Sequence, residues 1–147
     1  MKEIRLFWES LFFLPMDKIP TTTAQQKGVK IIRGRPYFYT KREVEDVKNF
    51  FKVILKTKRP PQPMPGAVDL AIVYYFKAKK PHKDGQPKVT RPDVDNMTKL
   101  ILDVMTESGF WNDDSQVFRL TVTKIYSEES GILFEIREKD DKGVVYI

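Results

Sequence analysis

Acidic side chains are concentrated in one stretch of this sequence, and a lysine stands among them. The members are Asp93, Asp95, Lys99, Asp113 and Asp114. Carboxylate oxygens are the ligands that hard divalent cations prefer, and such a cation can activate water and stabilise charge that develops on a phosphate. Carboxylates that gather without a cation repel one another, so such groups are typical of functional sites. The stretch therefore predicts a metal ion facing a phosphate.

An amphipathic helix is predicted to join the two acidic pairs. Its apolar residues recur at helical spacing and form a core-facing stripe: Met97, Leu100, Ile101, Val104 and Met105. Asp95 and Lys99 lie off this stripe, one helical turn apart. We expect Gly109 to end the helix, and Phe110 and Trp111 to be buried. Two acidic pairs joined by one short helix can converge on one point.

Each piece of this stretch also has a simpler interpretation. Asp93 can cap the helix, and Asp95 can form a surface ion pair with Lys99 that contributes little stability. The segment 112–115 can be an ordinary turn, and in either interpretation the next strand begins between Ser115 and Val117. Taken singly, each piece favours these interpretations, whereas their combination favours a functional site.

The composition narrows the kind of site. The chain has no cysteine and a single histidine, His82, which excludes disulfides, thiolate zinc sites and histidine-based metal sites. A metal must then be held by oxygen ligands, which favours Mg²⁺, Mn²⁺ or Ca²⁺ over zinc. The 26 basic residues exceed the 20 acidic ones and give a formal charge of +6. That excess favours a polyanionic partner, nucleic acid first.

Two basic segments are candidates for contacts with DNA phosphates. The first covers residues 27–39 and mixes cations with aromatic rings, although a β-hairpin with solvated charges is an equally simple interpretation. The second is a loop over residues 79–91, in which we expect His82 to be exposed. The candidate cations are Lys27, Lys30, Arg33, Arg35, Lys79, Lys80, Lys83, Lys88 and Arg91.

The remaining patterns predict one small domain over residues 1–147. A first strand begins near Ile4 and ends near Pro15, a helix runs from residue 41 to about 58, and the strongest strand covers residues 67–78. Two further apolar runs, residues 117–126 and 131–137, predict a β-hairpin. No apolar run approaches the ~20 residues that span a bilayer. We expect a cytoplasmic protein without membrane contact.

The acidic stretch resembles that of the RusA-type Holliday-junction resolvases of bacteria and their phages. The family pattern is D-x-D-N-x-x-K, an aliphatic helix, G-x-W and D-D-x-Q-V, and the spacing agrees here without an insertion. The matching residues are Asp93, Asp95, Asn96, Lys99, Asp103, Gly109, Phe110, Trp111, Asp113, Asp114, Gln116 and Val117. The match is dense over this stretch and loose elsewhere.

This resemblance implies roles for individual residues. Asp93, Asp95 and Asp114 would be the catalytic metal ligands, with Asp113 as the less favoured member of its pair, and Lys99 would be the catalytic lysine. The implied fold is α+β, a small mixed β-sheet with two main helices, assembled as a homodimer. The implied activity is Mg²⁺-dependent cleavage of four-way DNA junctions in recombination and repair, with Mn²⁺ as a possible substitute, in a bacterium or a phage.

Two departures limit what carries over from the family. Pro92 stands where the best-known members have a basic residue, and the segment 20–40 looks different, so junction contacts do not transfer residue by residue. Two other functions stay open from the sequence. One is a non-catalytic branched-DNA-binding or phage regulatory module with a structural acidic cluster, and the other is a nuclease that acts on other branched DNA.

Overall fold

The computed structural model describes residues 7–20, 27–40 and 42–147, with side-chain environments given for these ranges except 27–29 and 37–40. The elements are β1 (Glu9–Pro15), β2 (Lys27–Ile32), β3 (Arg35–Thr40), α1 (Arg42–Lys56), β4 (Ala67–Lys77), α2 (Val94–Glu107), β5 (Val117–Ser127) and β6 (Gly131–Lys139). A 3-10 helix, Asp114–Gln116, precedes β5. The predicted strand start at Ile4 and helix start at residue 41 lie outside the described ranges.

Four strands form one mixed sheet in the order β1-β6-β4-β5. β4 pairs antiparallel with β6 and parallel with β5, and β1 pairs antiparallel with β6. Successive side chains of a strand point to opposite faces, so every second residue of β4 enters the core. These core residues are Val68, Leu70, Ile72 and Tyr74. The central place of β4 and the α+β class are both confirmed.

The predicted hairpin of the last two long strands is wrong, because β4 lies between β5 and β6. The connection, residues 128–130, leaves β5 and enters β6 on the far side of β4. Three residues reach roughly 10 Å, which is the width of two strand spacings. The end of β4 is fixed there, since Ala78 N donates to Ser127 O at 2.8 Å. A short connection between two apolar runs therefore did not require that they pair.

Helices α1 and α2 contact each other, and Lys52 Nζ on α1 lies 2.5 Å from Glu107 Oε2 at the end of α2. All five residues of the predicted stripe of α2 are buried: Met97, Leu100, Ile101, Val104 and Met105. The helix ends at Glu107 with Ser108 as its C-cap, and Gly109 has a φ of 90°, a conformation that favours glycine after a helix. Neither helix, within the ranges described, is long and apolar enough to cross a membrane.

Strands β2 and β3 form a separate two-stranded antiparallel sheet. Its turn is the pair Arg33 and Gly34, whose φ angles of 50° and 78° suit the tight turn that joins hairpin strands. Lys30, Arg33 and Arg35 are exposed on it. The hairpin interpretation of this segment is confirmed, and its charges face solvent.

The buried phenol of Tyr74 makes the protein less stable as the pH rises into the alkaline range. Burial raises the pKa of its phenol well above the usual range, and a hydrogen bond of 3.2 Å with Thr98 Oγ1 offsets part of that rise. Unfolding exposes the phenol, which then ionises near pH 10, so the free energy of unfolding falls above that pH by up to ~1.4 kcal/mol per pH unit. We expect Tyr74→Phe to remove this slope in urea titrations between pH 9 and 11.

The same variant loses the hydrogen bond to Thr98, so its stability at pH 7 should fall by about 1 kcal/mol. Tyr146→Phe, at an exposed position, is the matched control. An alkaline slope that persists in Tyr74→Phe would show that another group causes it.

Candidate active site

The first acidic segment lies at the start of α2. Asp93 occupies the N-cap position with extended backbone angles, but its carboxylate makes no capping hydrogen bond. Its backbone oxygen instead accepts from Met97 N at 3.2 Å. Pro92, immediately before it, is buried. The backbone oxygen of Asp93 therefore accepts the first hydrogen bond of the helix, and its carboxylate is left available for a ligand.

Asp95 and Lys99 both lie on the exposed side of α2. The ion pairs that the described residues form lie elsewhere, and none of them joins Asp95 to Lys99. The surface ion pair that the spacing allowed is therefore not what these side chains form. Both are free to face a ligand, and the fold gives them one place to do so.

A cleft of about 530 Å³ runs between α2 and β5. Its charged lining consists of Asp95, Lys99, Asp103 and Asp114, and its apolar lining includes Leu102, Leu120 and Val122. Lys99 is thus flanked by carboxylates from both acidic segments. A site of this kind can bind a cation on its carboxylates and a phosphate on its lysine, beside an apolar wall.

Buried aromatic residues fix the second acidic segment. Phe110 and Trp111 are 0% and 1% exposed, as predicted. Phe110 O accepts from Met64 N at 2.9 Å, and Trp111 Nε1 donates to Thr106 Oγ1 at 2.8 Å. The turn that follows Trp111 is therefore anchored both to the chain before β4 and to the last turn of α2.

The two aspartates of this turn have different tasks. Asp113 caps the 3-10 helix, and its Oδ1 accepts from Ser115 N at 2.8 Å. Hydrogen bonds from Ser115 lower the pKa of this carboxyl below its usual range. Asp114, by contrast, lines the cleft. The next strand is expected to begin between Ser115 and Val117, and β5 begins at Val117, because this cap folds residues 114–116 into a helical turn.

The structure thus brings Asp95, Lys99 and Asp114 to one cleft, whereas Asp93 is not part of its lining. Nowhere in residues 7–20, 27–40 and 42–147 do three or more acidic or histidine side chains lie close enough to hold a metal ion. Mg²⁺ commonly keeps several waters and is held by one or two carboxylates. The available donors are all carboxylate oxygens, and this donor set fits Mg²⁺ or Mn²⁺.

Asp103 is a cleft residue to which the sequence assigned no role. Asp95, Lys99 and Asp103 follow one another at intervals of four and so share one face of α2. That spacing was the available signal. Two other residues support the site: Gln116 stands in the motif D-D-x-Q-V without an assigned role, and Lys124 gave no signal, because its partners lie far away in the sequence.

The basic loop of residues 79–91 folds back onto the outer edge of β5. Gly85 N donates to Tyr126 O, Tyr126 N donates to Gln86 O and Lys88 N donates to Lys124 O, at 2.8, 2.9 and 3.0 Å. His82 is exposed, as expected, and its ring stacks on Tyr126 with centroids 4.2 Å apart. The loop is therefore docked along the strand that forms one wall of the cleft.

The candidate cations differ in how free they are to meet phosphate. Lys88 Nζ lies 4.9 Å from the ring centre of Phe76 and donates to Thr90 Oγ1 at 2.7 Å, so its charge is already engaged. The exposed candidates are Lys30, Arg33, Arg35, Lys79, Lys80, Lys83 and Arg91. The side chain of Lys27 lies outside the described part.

Comparison with known proteins identifies the family of the chain. The family model of the endodeoxyribonuclease RusA matches residues 18–137. The crossover junction endodeoxyribonuclease rusA of Lactococcus phage r1t is 33% identical over 129 residues, which cover 86% of this chain and 96% of the relative.

Two further relatives match to different extents. The Bacillus subtilis protein YqaN is 27% identical over 130 residues, 81% of this chain and 90% of its own. The crossover junction endodeoxyribonuclease RusA of Escherichia coli K12 is 40% identical over 47 residues, 32% of this chain and 39% of its own. The resemblance seen in the acidic motifs is confirmed, and the chain belongs to the RusA endodeoxyribonuclease family.

Proposed function

We propose that this protein is a metal-dependent endodeoxyribonuclease that resolves four-way DNA junctions in recombination and repair. The observation that carries the proposal is the cleft in which Asp95, Lys99 and Asp114 meet, in a chain of the RusA family. Two relatives named as crossover junction endodeoxyribonucleases support the choice of substrate. The site of action that we propose is the cytoplasm of a bacterium, with the gene carried by the bacterium or a phage.

The carboxylates of Asp93, Asp95 and Asp114 would hold Mg²⁺, or Mn²⁺ in its place. When bound, such an ion lowers the pKa of water and offsets the charge that develops on the phosphate. Lys99 would donate to an oxygen of the scissile phosphate and stabilise its added negative charge. Asp113 is committed to its helix cap, which favours Asp114 as the ligand of that pair.

Recognition of the junction would rest on shape and on phosphate contacts. The exposed cations of the β2–β3 hairpin and of the loop 79–91 would neutralise the junction arms. A homodimer would present two such clefts, since two opposed strands must be cut symmetrically to resolve a junction. A membrane has no part in this proposal.

The hairpin cations give a prediction about salt. We expect the double variant Arg33→Ala with Arg35→Ala to bind the junction more weakly, because both guanidinium groups are exposed on the hairpin. The slope of log K against log salt concentration should fall by about 0.9 for each DNA phosphate that the variant no longer neutralises. Fluorescence anisotropy with a labelled junction across a salt series measures this slope.

The control is Lys139→Ala with Lys142→Ala, which removes the same charge from exposed lysines near the C terminus. An equal change in both pairs would mean that net charge alone acts.

The proposed function is tested by cleavage of an end-labelled synthetic four-way junction and a matched linear duplex, each with Mg²⁺, with Mn²⁺ and with EDTA. We expect paired, symmetric nicks in the junction that require the metal, and none in the duplex. Junction binding without nicking in either metal would instead support a non-catalytic branched-DNA-binding module. Preferred cleavage of flaps would keep the chemistry and change the substrate.

A further inference from the structure

The first acidic segment lies at the start of α2 and the second lies in the turn before β5, so each must be held in place by other parts of the fold. We infer that two residues are positioning residues: Gln116, immediately before β5, holds the second acidic segment, and Lys124, in the second half of β5, holds the first. This inference rests on the proposed function. It is carried by hydrogen bonds that join residues far apart in sequence.

Gln116 uses the full hydrogen-bonding capacity of its carboxamide. Its Nε2 donates to Met64 O at 2.7 Å and to Gly66 O at 2.9 Å. Its Oε1 accepts from Asn112 N at 2.9 Å and from Asp113 N at 3.0 Å. The side chain therefore ties the turn that carries Asp113 and Asp114 to the chain that enters β4.

Only a carboxamide of this length can make these four bonds. Glutamate has the same shape and keeps the two acceptor contacts to Asn112 and Asp113, but it has no proton to donate and would place a charge against the carbonyls of Met64 and Gly66. Methionine matches the length and makes none of the four bonds. Gln116→Glu therefore removes only the bonds to the chain before β4, whereas Gln116→Met also removes the bonds to the turn.

Lys124 holds the first acidic segment in a corresponding way. Its half-buried ammonium donates to Thr90 O at 2.7 Å and to Pro92 O at 2.6 Å. These are charge-assisted bonds to the carbonyls immediately before Asp93, and such bonds are roughly twice as strong as neutral ones. The backbone oxygen of Lys124 also accepts from Lys88 N at 3.0 Å. Side chain and main chain of one residue therefore both hold the loop that ends at Asp93.

The consequence for the site is a dependence of metal affinity on residues that never touch the metal. Removing a partner that orients metal ligands typically costs 10–100-fold in metal affinity. We therefore expect Gln116→Glu and Lys124→Met each to weaken Mn²⁺ binding by about 10-fold or more. Junction binding in EDTA should stay within about twofold in Gln116→Met, because this substitution changes no charge and leaves the exposed cations that would meet DNA intact.

The experiment measures Mn²⁺ affinity by titration calorimetry without DNA, for wild type, Gln116→Glu, Gln116→Met and Lys124→Met. Ile72→Val, a core substitution in β4, is the control for a general loss of stability. Amide hydrogen exchange of Asn112 and Asp113 gives a readout that needs no metal. We expect faster exchange in Gln116→Met and near wild-type exchange in Gln116→Glu, which keeps both acceptor contacts.

Three results would overturn the inference: Mn²⁺ affinity within twofold of wild type in the variants, an equal loss in Ile72→Val, or unchanged exchange in Gln116→Met. Failure of the proposed function would look different. In that case the wild type would bind Mn²⁺, and the variants would weaken that binding, while no junction was cut. Raised Mn²⁺ concentration should restore cleavage in the variants if the proposed function holds, because the ligands themselves are still present.

Discussion

Asp95→Asn is expected to lower the rate of junction cleavage by about 10³-fold while junction binding stays intact. A metal ion on a phosphate oxygen contributes several kcal/mol to the transition state, and each 1.36 kcal/mol is tenfold in rate. Asparagine keeps the shape of the side chain but removes the charge that would hold the ion. Asp95 is exposed and forms no ion pair in the described structure, so its loss should cost the fold little. Single-turnover cleavage of a labelled junction in Mg²⁺ measures the rate.

Two matched substitutions make this result specific. Asp46→Asn removes one exposed carboxylate from α1 and should leave the rate unchanged. Asp113→Asn alters the cap of the 3-10 helix, so we expect a smaller loss of rate together with a small loss of stability. A variant Asp95→Asn that cuts at more than a tenth of the wild-type rate would remove Asp95 from the catalytic group.

Much of the fold was readable because local periodicity and burial agree. The stripe of α2 is one case, since five apolar residues at helical spacing can face the core together only as a helix, and all five are buried. The strand β4 is another, because its eleven residues are rich in β-branched and aromatic side chains and alternate in burial, which suits the middle of a sheet. These elements are determined by patterns within the element itself.

The pairing of strands could not be read in the same way. β5 and β6 have the alternation of strands and are three residues apart, but nothing in either strand says that β4 lies between them. That choice is made by contacts across more than 40 residues, from β4 to β5 and β6. Patterns within a segment predict its type, whereas its neighbours depend on the whole chain.

Some features of the candidate site could likewise be predicted from the sequence, and others depend on the fold. The acidic motif and its spacing pointed to Asp93, Asp95, Lys99 and Asp114 without any structure. The motif could not show why Asp113 caps the 3-10 helix while Asp114 lines the cleft, since that depends on the hydrogen bond from Ser115 N to Asp113. Lys124 was also invisible, because its two acceptors lie 32 and 34 residues earlier in the chain. Spacing thus identifies candidate site residues, whereas the fold shows which hydrogen bonds hold them in place.

The second large effect is expected at the lysine of the cleft. We expect Lys99→Met to lower kcat for junction cleavage by about 10²–10³-fold, the usual cost of removing a donor aimed at developing charge. Lys99 is exposed, and it has no ion-pair partner among the residues that the structure describes. Its charge therefore contributes little to the folded state and is available to the phosphate.

The way in which the loss divides between kcat and KM decides what Lys99 does. If the ammonium acts only in the transition state, kcat and kcat/KM fall equally in Lys99→Met and junction affinity is unchanged. If it only attracts DNA, KM rises in Lys99→Met while kcat stays. Lys56→Met is the control, because it removes one positive charge from an exposed lysine at the end of α1 and should leave kcat unchanged. Lys99→Arg keeps the charge but replaces a compact ammonium with a planar fork, so it should recover only part of the rate. A rise in KM alone in Lys99→Met would assign Lys99 to DNA binding and leave the chemistry to the carboxylates.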